Sequence, residues 1–228
     1  HLPYGEKSSK TIQGYSQRIT EFLLSKDCKA IVIACNSASA TAYPVVREMT
    51  PNDTPVVNVI DPTVSYVSEK YSSGKIGVIG TKATVNSRSY AKRIQKSNER
   101  LKVSMLATPL LVAMIEEGFF NNNISQAIIN NYLEKNTLKN IEAIILGCTH
   151  FPLIKSEVES FYNDSAEVID SSSIVANSLK AELEKENLLS REIEGVHHFY
   201  VSEKTNAFEQ STKLFFGEKL KLEKKLLG

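Results

Sequence analysis

A regular alternation of short apolar runs with longer amphipathic segments constrains the fold of this chain more than any other feature. The apolar runs cover residues 30–34, 55–60, 75–80, 102–107, 143–147 and 166–170, and a last run covers 197–202. Short continuous apolar runs are typical of strands buried in a parallel sheet. Strands that alternate with helices predict an α/β protein with mainly parallel sheets flanked by helices.

The segments between these runs show apolar residues at helical spacing or helix-start signals. A kink or break is expected at Pro44, because proline cannot donate a backbone hydrogen bond inside a helix. A serine is expected to cap the helix that follows residue 170. The predicted helices cover residues 7–25, 37–49, 61 onward, 83–97, 109–118, 123–136, 151–162, 171–187 and 206–217.

Charge and composition indicate a soluble globular protein without a strong electrostatic preference for a partner. Among 228 residues, 42% are apolar and 23% are charged, and the net charge is +1. Such a balance creates no global field that would attract nucleic acid or an anionic membrane. We therefore predict no nucleic-acid partner and no membrane association.

Cysteine usage argues for a reducing compartment. The chain has 3 cysteines, which cannot all pair with one another, and we predict a cytoplasmic protein rather than a disulfide scaffold. No CxxC or HxxxH spacing occurs, so a zinc site is not predicted.

Two of the cysteines follow strand-like runs directly. Cys35 comes after the run 30–34, and Cys148 comes after the run 143–147. In open α/β sheets ligands bind at the carboxyl ends of strands, and a following helix N-terminus favours a thiolate or a carboxylate ligand. Nearby side chains add hydrogen-bond donors, namely Asn36, Ser37, Thr149 and His150.

Two opposed thiols could carry out one definite reaction. A thiolate removes a proton from a carbon on one face, and a thiol returns a proton on the other face, which inverts the stereocentre. His150 could move the proton onto or off Cys148. The alternative from the residues alone is that both cysteines fill the core, as free cysteines often do. Cys28 lacks the strand-end setting and is assigned no role.

The motifs around these cysteines carry a family resemblance. "ACNSASA" at 34–40 and "LGCTHFPLI" at 146–154 resemble the two cysteine motifs of the glutamate racemases, within the aspartate/glutamate racemase superfamily. "PYGEKS" at 3–8, "GTKATV" at 80–85 and "PLLVAMIEEG" at 109–118 match that family in order and spacing. A histidine at position 150 is typical of the glutamate enzymes, whereas aspartate racemases usually carry glutamate there.

The resemblance implies a bacterial, cytoplasmic, cofactor-independent racemase that interconverts free L- and D-glutamate and supplies D-glutamate for peptidoglycan. It assigns Cys35 and Cys148 to catalysis, with His150 assisting, and it implies no metal. It also matches a set of substrate-binding positions, which are Tyr4, Gly5, Asn36, Ser37, Thr81, Thr84, Glu116, Thr149 and His150.

The chain departs from the family pattern in two places. Ser37 stands where threonine is usual, and it keeps the hydroxyl. Family members carry an Asp-Ser-Gly segment some way before the "PYG" position, and this chain has none. We expect the sequence to be a fragment of a longer racemase, which as it stands would turn substrate over poorly.

The resemblance further implies two similar domains with the active site between them. One would comprise residues 1–59 and 174–228, and the other residues 60–173. Homodimers are implied in more than one arrangement. Two alternatives remain: a racemase of a related substrate of the aspartate or hydantoin type, and a non-catalytic binding protein on the same fold, since some family members bind proteins such as DNA gyrase.

Overall fold

A computed structural model of the chain describes residues 3–190, 195–205, 209, 212–213 and 215–227. It confirms the predicted α/β class, because helices flank sheets in which every strand pairing between described residues is parallel. The strands are β1 Ile31–Ile33, β2 Val56–Asn58, β3 Gly74–Gly80, β4 Leu101–Ala107, β5 Ala143–Gly147, β6 Glu167–Ile169, β7 Phe199–Val201 and β8 Leu222–Lys224.

The helices lie between these strands, as the alternation predicts. They are α1 Ser9–Leu24, α2 Asn36–Met49, α3 Ile60–Lys70, α4 Lys82–Ser87, α5 Ser89–Ser97, α6 Pro109–Glu116, α7 Asn123–Leu133, α8 Lys155–Tyr162 and α9 Ser171–Lys185. Short 3-10 helices cover Tyr4–Glu6, Asn136–Leu138 and Phe151–Ile154.

A four-stranded sheet of order β4-β3-β5-β6 forms the centre of the larger part of the molecule. Successive side chains of a strand point to opposite faces, and here each face is buried in its own apolar cluster. Ile144 and Leu146 pack in the cluster with α6, α7 and α8, whereas Ala143 and Ile145 pack in the cluster with α3 and α5. Because both faces of the sheet are buried, these strands appear in the sequence as continuous apolar runs.

The carboxyl ends of β3 and β5 come together at a pair of glycines. Gly80 lies opposite Gly147 in the parallel register. A Cβ on Gly147 would lie 2.7 Å from the Ile79 carbonyl oxygen, so a side chain cannot be accommodated there. The next residues along each strand, Thr81 and Cys148, therefore leave the sheet side by side.

A smaller sheet of β1 and β2 supports the first cysteine. Ile31 and Ile33 pack with Ile12 of α1 and Val46 of α2, and all four are buried. The strands β7 and β8 form a separate parallel pair. We did not predict β8 from the sequence.

The helix predicted at 83–97 is two helices rather than one. Arg88 adopts φ 55° and ψ 20°, the left-handed conformation, and so ends α4 and begins α5. A non-glycine residue in this region interrupts the helical hydrogen-bond ladder. The periodicity of the apolar residues continues through the break, which is why the sequence pattern did not reveal it.

Pro44 does not end its helix, so of the expected kink or break, the break does not occur. The helix α2 runs from Asn36 to Met49 with Pro44 inside. Proline leaves the carbonyl of the residue four positions earlier without its helical donor. The hydroxyl of Ser89 donates to that carbonyl, on Ala40, at 3.2 Å. This contact joins α2 to α5.

Two other local expectations also need correction. The cap of α9 is Asp170, whose carboxylate accepts from the Ser172 N–H, and not a serine. The predicted helix 151–162 begins as the 3-10 turn Phe151–Ile154 before α8. Of the predicted helix 206–217, residues 206–208, 210, 211 and 214 lie outside the described residues, and Glu209, Thr212 and Phe215 are helical.

In the described part of the chain, no helix combines the length and apolarity that a membrane crossing requires.

Candidate active site

Cys35 sits at the junction between β1 and α2. It is the N-cap residue of α2, with extended φ −82° and ψ 126°, and its side chain is half-buried. Burial raises the pKa of the Cys35 thiol, while the N–H groups of Ala38 and Ser37 and the Ser37 hydroxyl oppose that increase. A helix N-terminus therefore stabilises the thiolate here, as the sequence suggested, but burial outweighs it.

Cys148 follows β5 directly and is 7% exposed. Burial raises the pKa of its thiol to about 12, and negative charge on Cys35 and Glu116 raises it as well, whereas the N–H groups of His150 and Thr149 lower it. Since both pKa values are raised, both thiols favour the protonated form at neutral pH.

His150 connects Cys148 to a carboxylate. Its Nδ1 lies 3.6 Å from the Cys148 Sγ, and its Nε2 lies 3.0 Å from Glu116 Oε1. When Nε2–H donates to the carboxylate, Nδ1 carries the lone pair and faces the thiol. The arrangement selects the tautomer that can accept the proton of Cys148. Phe215 contacts the same imidazole edge-on, with ring centroids 5.6 Å apart.

Three hydroxyls from two helix N-termini form a cluster beside Cys35. Ser37 Oγ lies 2.8 Å from Thr81 Oγ1 and 3.4 Å from Thr84 Oγ1, and the two threonine oxygens are 3.2 Å apart. Thr81 also caps α4 by accepting from the Thr84 N–H. Thr84 is fully buried, whereas Thr81 is partly exposed. Thr81 is therefore the hydroxyl of the two threonines that a ligand can reach.

Tyr4 and Gly5 lie against the same cluster. Tyr4 and Cys35 pack against the same apolar cluster, and the pKa of Tyr4 is raised by burial and by the charge of Cys35. A Cβ on Gly5 would lie 2.6 Å from the Thr81 Cβ, so the 3-10 turn at Tyr4–Glu6 approaches α4 more closely than any side chain allows. Glycine at position 5 is thus explained by contact with Thr81.

Sequence reasoning missed one residue of this site, Tyr90. Its hydroxyl donates to Asn36 Oδ1 at 2.7 Å, and its side chain is fully buried. Apolar spacing in α5 predicts only a core aromatic at this position, and no local signal marks the hydroxyl as part of a site. The partner is 54 positions away in the chain.

Among the predicted site residues, the structure brings together two groups. Cys35, Asn36, Ser37, Thr81 and Thr84 meet at the N-termini of α2 and α4, next to Tyr4 and Gly5. Glu116, His150 and Cys148 form the second group. Thr149 is exposed, and its hydroxyl makes no hydrogen bond to another described residue.

The residues described by the structure include no group of three or more His, Cys, Asp or Glu side chains arranged to hold a metal ion. The site offers instead two neutral thiols, one imidazole with a carboxylate partner, and hydroxyl and amide groups, whose hydrogens suit a carboxylate and whose oxygens suit an ammonium group. Such a set can move protons to and from carbon and can bind a small zwitterion.

Comparison with known proteins identifies the family of this architecture. Residues 1–179 match the family model described as Asp/Glu/Hydantoin racemase. The glutamate racemase of Chlorobaculum parvum is 37% identical over 220 residues, which cover 96% of this chain and 80% of that protein.

Solved structures agree with the sequence comparison. The glutamate racemase of Francisella tularensis in complex with D-glutamate has a TM-score of 0.93 at 36% identity, over 100% of this chain and 84% of that one. The glutamate racemase of Thermus thermophilus in complex with β-chloro-D-alanine has a TM-score of 0.86 at 32% identity, over 100% of this chain and 84% of that one.

Proposed function

The chain belongs to the Asp/Glu/Hydantoin racemase family, and on that premise we propose that it interconverts L- and D-glutamate by proton transfer between Cα and two thiols. The observation that carries the proposal is the chain of contacts from Cys148 through His150 to Glu116. The cluster of hydroxyls around Cys35 supports it from the other half of the site. Relatives named as glutamate racemases support the choice of substrate.

In the proposed reaction, the thiolate of one cysteine takes the proton from Cα and becomes a thiol. The electron pair left on Cα is shared with the substrate carboxylate. The other cysteine gives its thiol proton to the opposite face of Cα and becomes a thiolate. One proton has left the substrate and one has entered it, so the protein carries the same total number of protons afterwards.

Formation of the first thiolate needs help, since burial holds both thiols in the neutral form. Two groups can favour the thiolate. His150 Nδ1 can accept the proton of Cys148, with Glu116 stabilising the imidazolium. The α-ammonium group of glutamate brings a positive charge that favours a nearby thiolate.

The substrate would be held by the donors around the cysteines. Asn36, Ser37 and Thr81 would donate hydrogen bonds to the part of the substrate near Cys35. Tyr4 and Gly5 would line that side of the site. Thr149 and His150 would bind the part of the substrate near Cys148. Thr84, which is fully buried, would act by orienting Thr81 and Ser37 rather than by touching substrate.

Several broader statements belong to the same proposal. D-glutamate would be supplied for peptidoglycan in a bacterial cytoplasm, and the protein would form a homodimer. The two cysteines would come from two domains, residues 1–59 with 174–228 and residues 60–173, with the substrate between them. The four-stranded sheet, which lies wholly within residues 60–173, supports that division.

The test is a set of three Cys→Ser variants of the protein expressed from its complete reading frame. Circular dichroism follows the loss of optical activity from L-glutamate without added cofactor, and mass spectrometry follows deuterium uptake at Cα in D2O. We expect Cys35→Ser and Cys148→Ser to lose racemisation by at least a thousandfold. Cys28→Ser is the matched control and should keep the wild-type rate.

Wild-type turnover in either active-site variant would contradict the two-thiol mechanism. The choice of substrate is tested by measuring kcat/KM for glutamate, aspartate and a hydantoin. A higher kcat/KM for aspartate or the hydantoin than for glutamate would contradict glutamate as the substrate. Glutamate binding without deuterium uptake at Cα would instead indicate a binding protein.

A further inference from the structure

Tyr90 is the only buried tyrosine of α5, and its hydroxyl lies behind the candidate site. The side chain is fully buried, so its hydroxyl is enclosed with it. A buried hydroxyl requires a partner. The hydroxyl donates to Asn36 Oδ1 at 2.7 Å, in the residue next to Cys35, and the side chain of Thr63 lies within hydrogen-bond reach of the same phenol.

The contact determines how the Asn36 amide is oriented. An asparagine amide presents an acceptor oxygen on one side and two donor hydrogens on the other. Because Oδ1 is turned toward Tyr90, the Nδ2 group is turned away from it. Nδ2 donates to no side chain or carbonyl in the described part of the chain, so its hydrogens stay available for a ligand.

Burial keeps the Tyr90 phenol protonated. It raises the pKa of the phenol, and a smaller contribution in the same direction comes from Cys148, whereas the hydrogen bond with Thr63 and the charge of Arg93 lower the pKa. Since the net pKa is raised, the hydroxyl remains a donor at neutral pH.

We propose that Tyr90 is a positioning residue, which holds the Asn36 amide so that its N–H groups face an anionic group of the substrate beside Cys35. The inference rests on the proposed function for the identity of the substrate, glutamate, whose carboxylates suit such donors. Tyr90 itself does not touch the substrate.

The experiment removes the hydroxyl and keeps the ring. Tyr90→Phe is compared with Tyr162→Phe, a matched control in which the lost hydroxyl belongs to a buried tyrosine and has no hydrogen-bond partner among the described residues. Thermal unfolding verifies that both variants fold. Racemisation kinetics give kcat and KM, and calorimetry gives the Kd for D-glutamate.

For Tyr90→Phe we expect KM and Kd to rise about tenfold, with kcat changed less than about threefold, because ground-state binding is what an oriented amide supplies. Tyr162→Phe should keep wild-type constants. In a double-mutant cycle, Asn36→Ala should weaken binding by itself, and Tyr90→Phe should add nothing in the Asn36→Ala background.

Two results would overturn the inference: wild-type KM and Kd in Tyr90→Phe, or additive effects in the cycle, which would mean that the tyrosine acts through general stability. Nuclear magnetic resonance distinguishes failure of the inference about Tyr90 from failure of the proposed function. If the wild-type protein neither racemises nor binds glutamate, the proposed function fails. The positioning claim then stands if the Asn36 side-chain amide signals shift in Tyr90→Phe but not in Tyr162→Phe, and it falls if they do not shift.

Discussion

The imidazole of His150 lies with Nε2 3.0 Å from Oε1 of Glu116, a residue 34 positions earlier in the chain. The other ring nitrogen lies 3.6 Å from the sulfur of Cys148. The family resemblance places Glu116 among the substrate-binding positions, and the structure gives it a partner in His150, because α6 packs against the 3-10 turn Phe151–Ile154 that follows β5.

The first prediction concerns this contact. Glu116→Ala removes the acceptor that selects the tautomer of His150, so we expect kcat/KM for glutamate to fall by about ten- to hundredfold. L- and D-glutamate have equal free energies, so the fall in kcat/KM must be the same in both directions. Initial rates from each enantiomer measure it.

Glu117→Ala is the control for that variant, since Glu117 is the adjacent exposed carboxylate and makes no ion pair with a described residue. It should keep the wild-type kcat/KM. An equal loss in both variants would mean that negative charge near the site matters, and not the contact with His150.

The second prediction concerns the reactivity of Cys148. With a pKa of about 12, its thiolate fraction at pH 8 is about one in ten thousand. Iodoacetamide labelling of Cys148 in the ligand-free protein should therefore rise about tenfold per pH unit from pH 7 to pH 10. Mass spectrometry of the peptide that contains Cys148 measures the rate. A plateau near pH 9, as for an ordinary thiol, would be inconsistent with this environment.

The third prediction uses the close approach of Gly5 to Thr81. Gly5→Ala places a Cβ 2.6 Å from the Thr81 Cβ, so the turn and α4 must separate. We expect a loss of about 1–3 kcal/mol in the free energy of unfolding and at least a tenfold rise in KM, since Thr81 contacts Ser37. Denaturant unfolding and racemisation kinetics measure the two effects.

Gly14→Ala provides the comparison, because a Cβ at Gly14 meets no atom within 4 Å. Alanine is the better helix former, so this variant should gain about 0.5–1 kcal/mol and keep its KM. If Gly5→Ala behaved in the same way, the packing of the turn on α4 would have no role in the site.

The fourth prediction concerns stability and pH. Glu167 accepts hydrogen bonds from Lys70 at 2.7 Å, from Tyr66 at 3.0 Å and from Tyr71, and these bonds join α3 to β6. Burial raises the pKa of Glu167, but the hydrogen bond from Lys70 and those from the two phenols outweigh it, so the net pKa is lowered. A carboxylate whose pKa is lowered by folding stabilises the protein above its ordinary pKa, and this stabilisation disappears as the pH falls through the lowered value.

Glu167→Gln should therefore cost about 1 kcal/mol at pH 7, a modest value because Glu167 and Lys70 are partly exposed, and less at pH 3. Urea unfolding at the two pH values measures the difference. Glu48→Gln, which removes an exposed carboxylate without an ion pair to any described residue, should change little at either pH. A cost for Glu167→Gln that did not depend on pH would show that the carboxylate charge is not responsible.

Much of the fold could be predicted from local sequence. The buried strands are short apolar runs, and the helices follow apolar spacing, because burial on both faces of a parallel sheet and on one face of a helix leaves those patterns. Two features could not be predicted: the break between α4 and α5 at Arg88, and the continuation of α2 past Pro44. The first depends on a single backbone conformation, and the second is accompanied by a hydrogen bond to Ala40 from the Ser89 hydroxyl of another helix.

For the candidate site, the sequence by itself determined which residues could carry the chemistry and where along the chain they stand. Cys35 and Cys148 each directly follow a short apolar run in the sequence. Such a position predicts a residue at the carboxyl end of a parallel strand, where the chain leaves the sheet. Only the tertiary structure decided which side chains meet. Glu116 reaches His150, Ser37 reaches Thr81, and Tyr90 reaches Asn36 across 34, 44 and 54 positions. Contacts over such separations depend on strand register and helix packing, which no local pattern encodes.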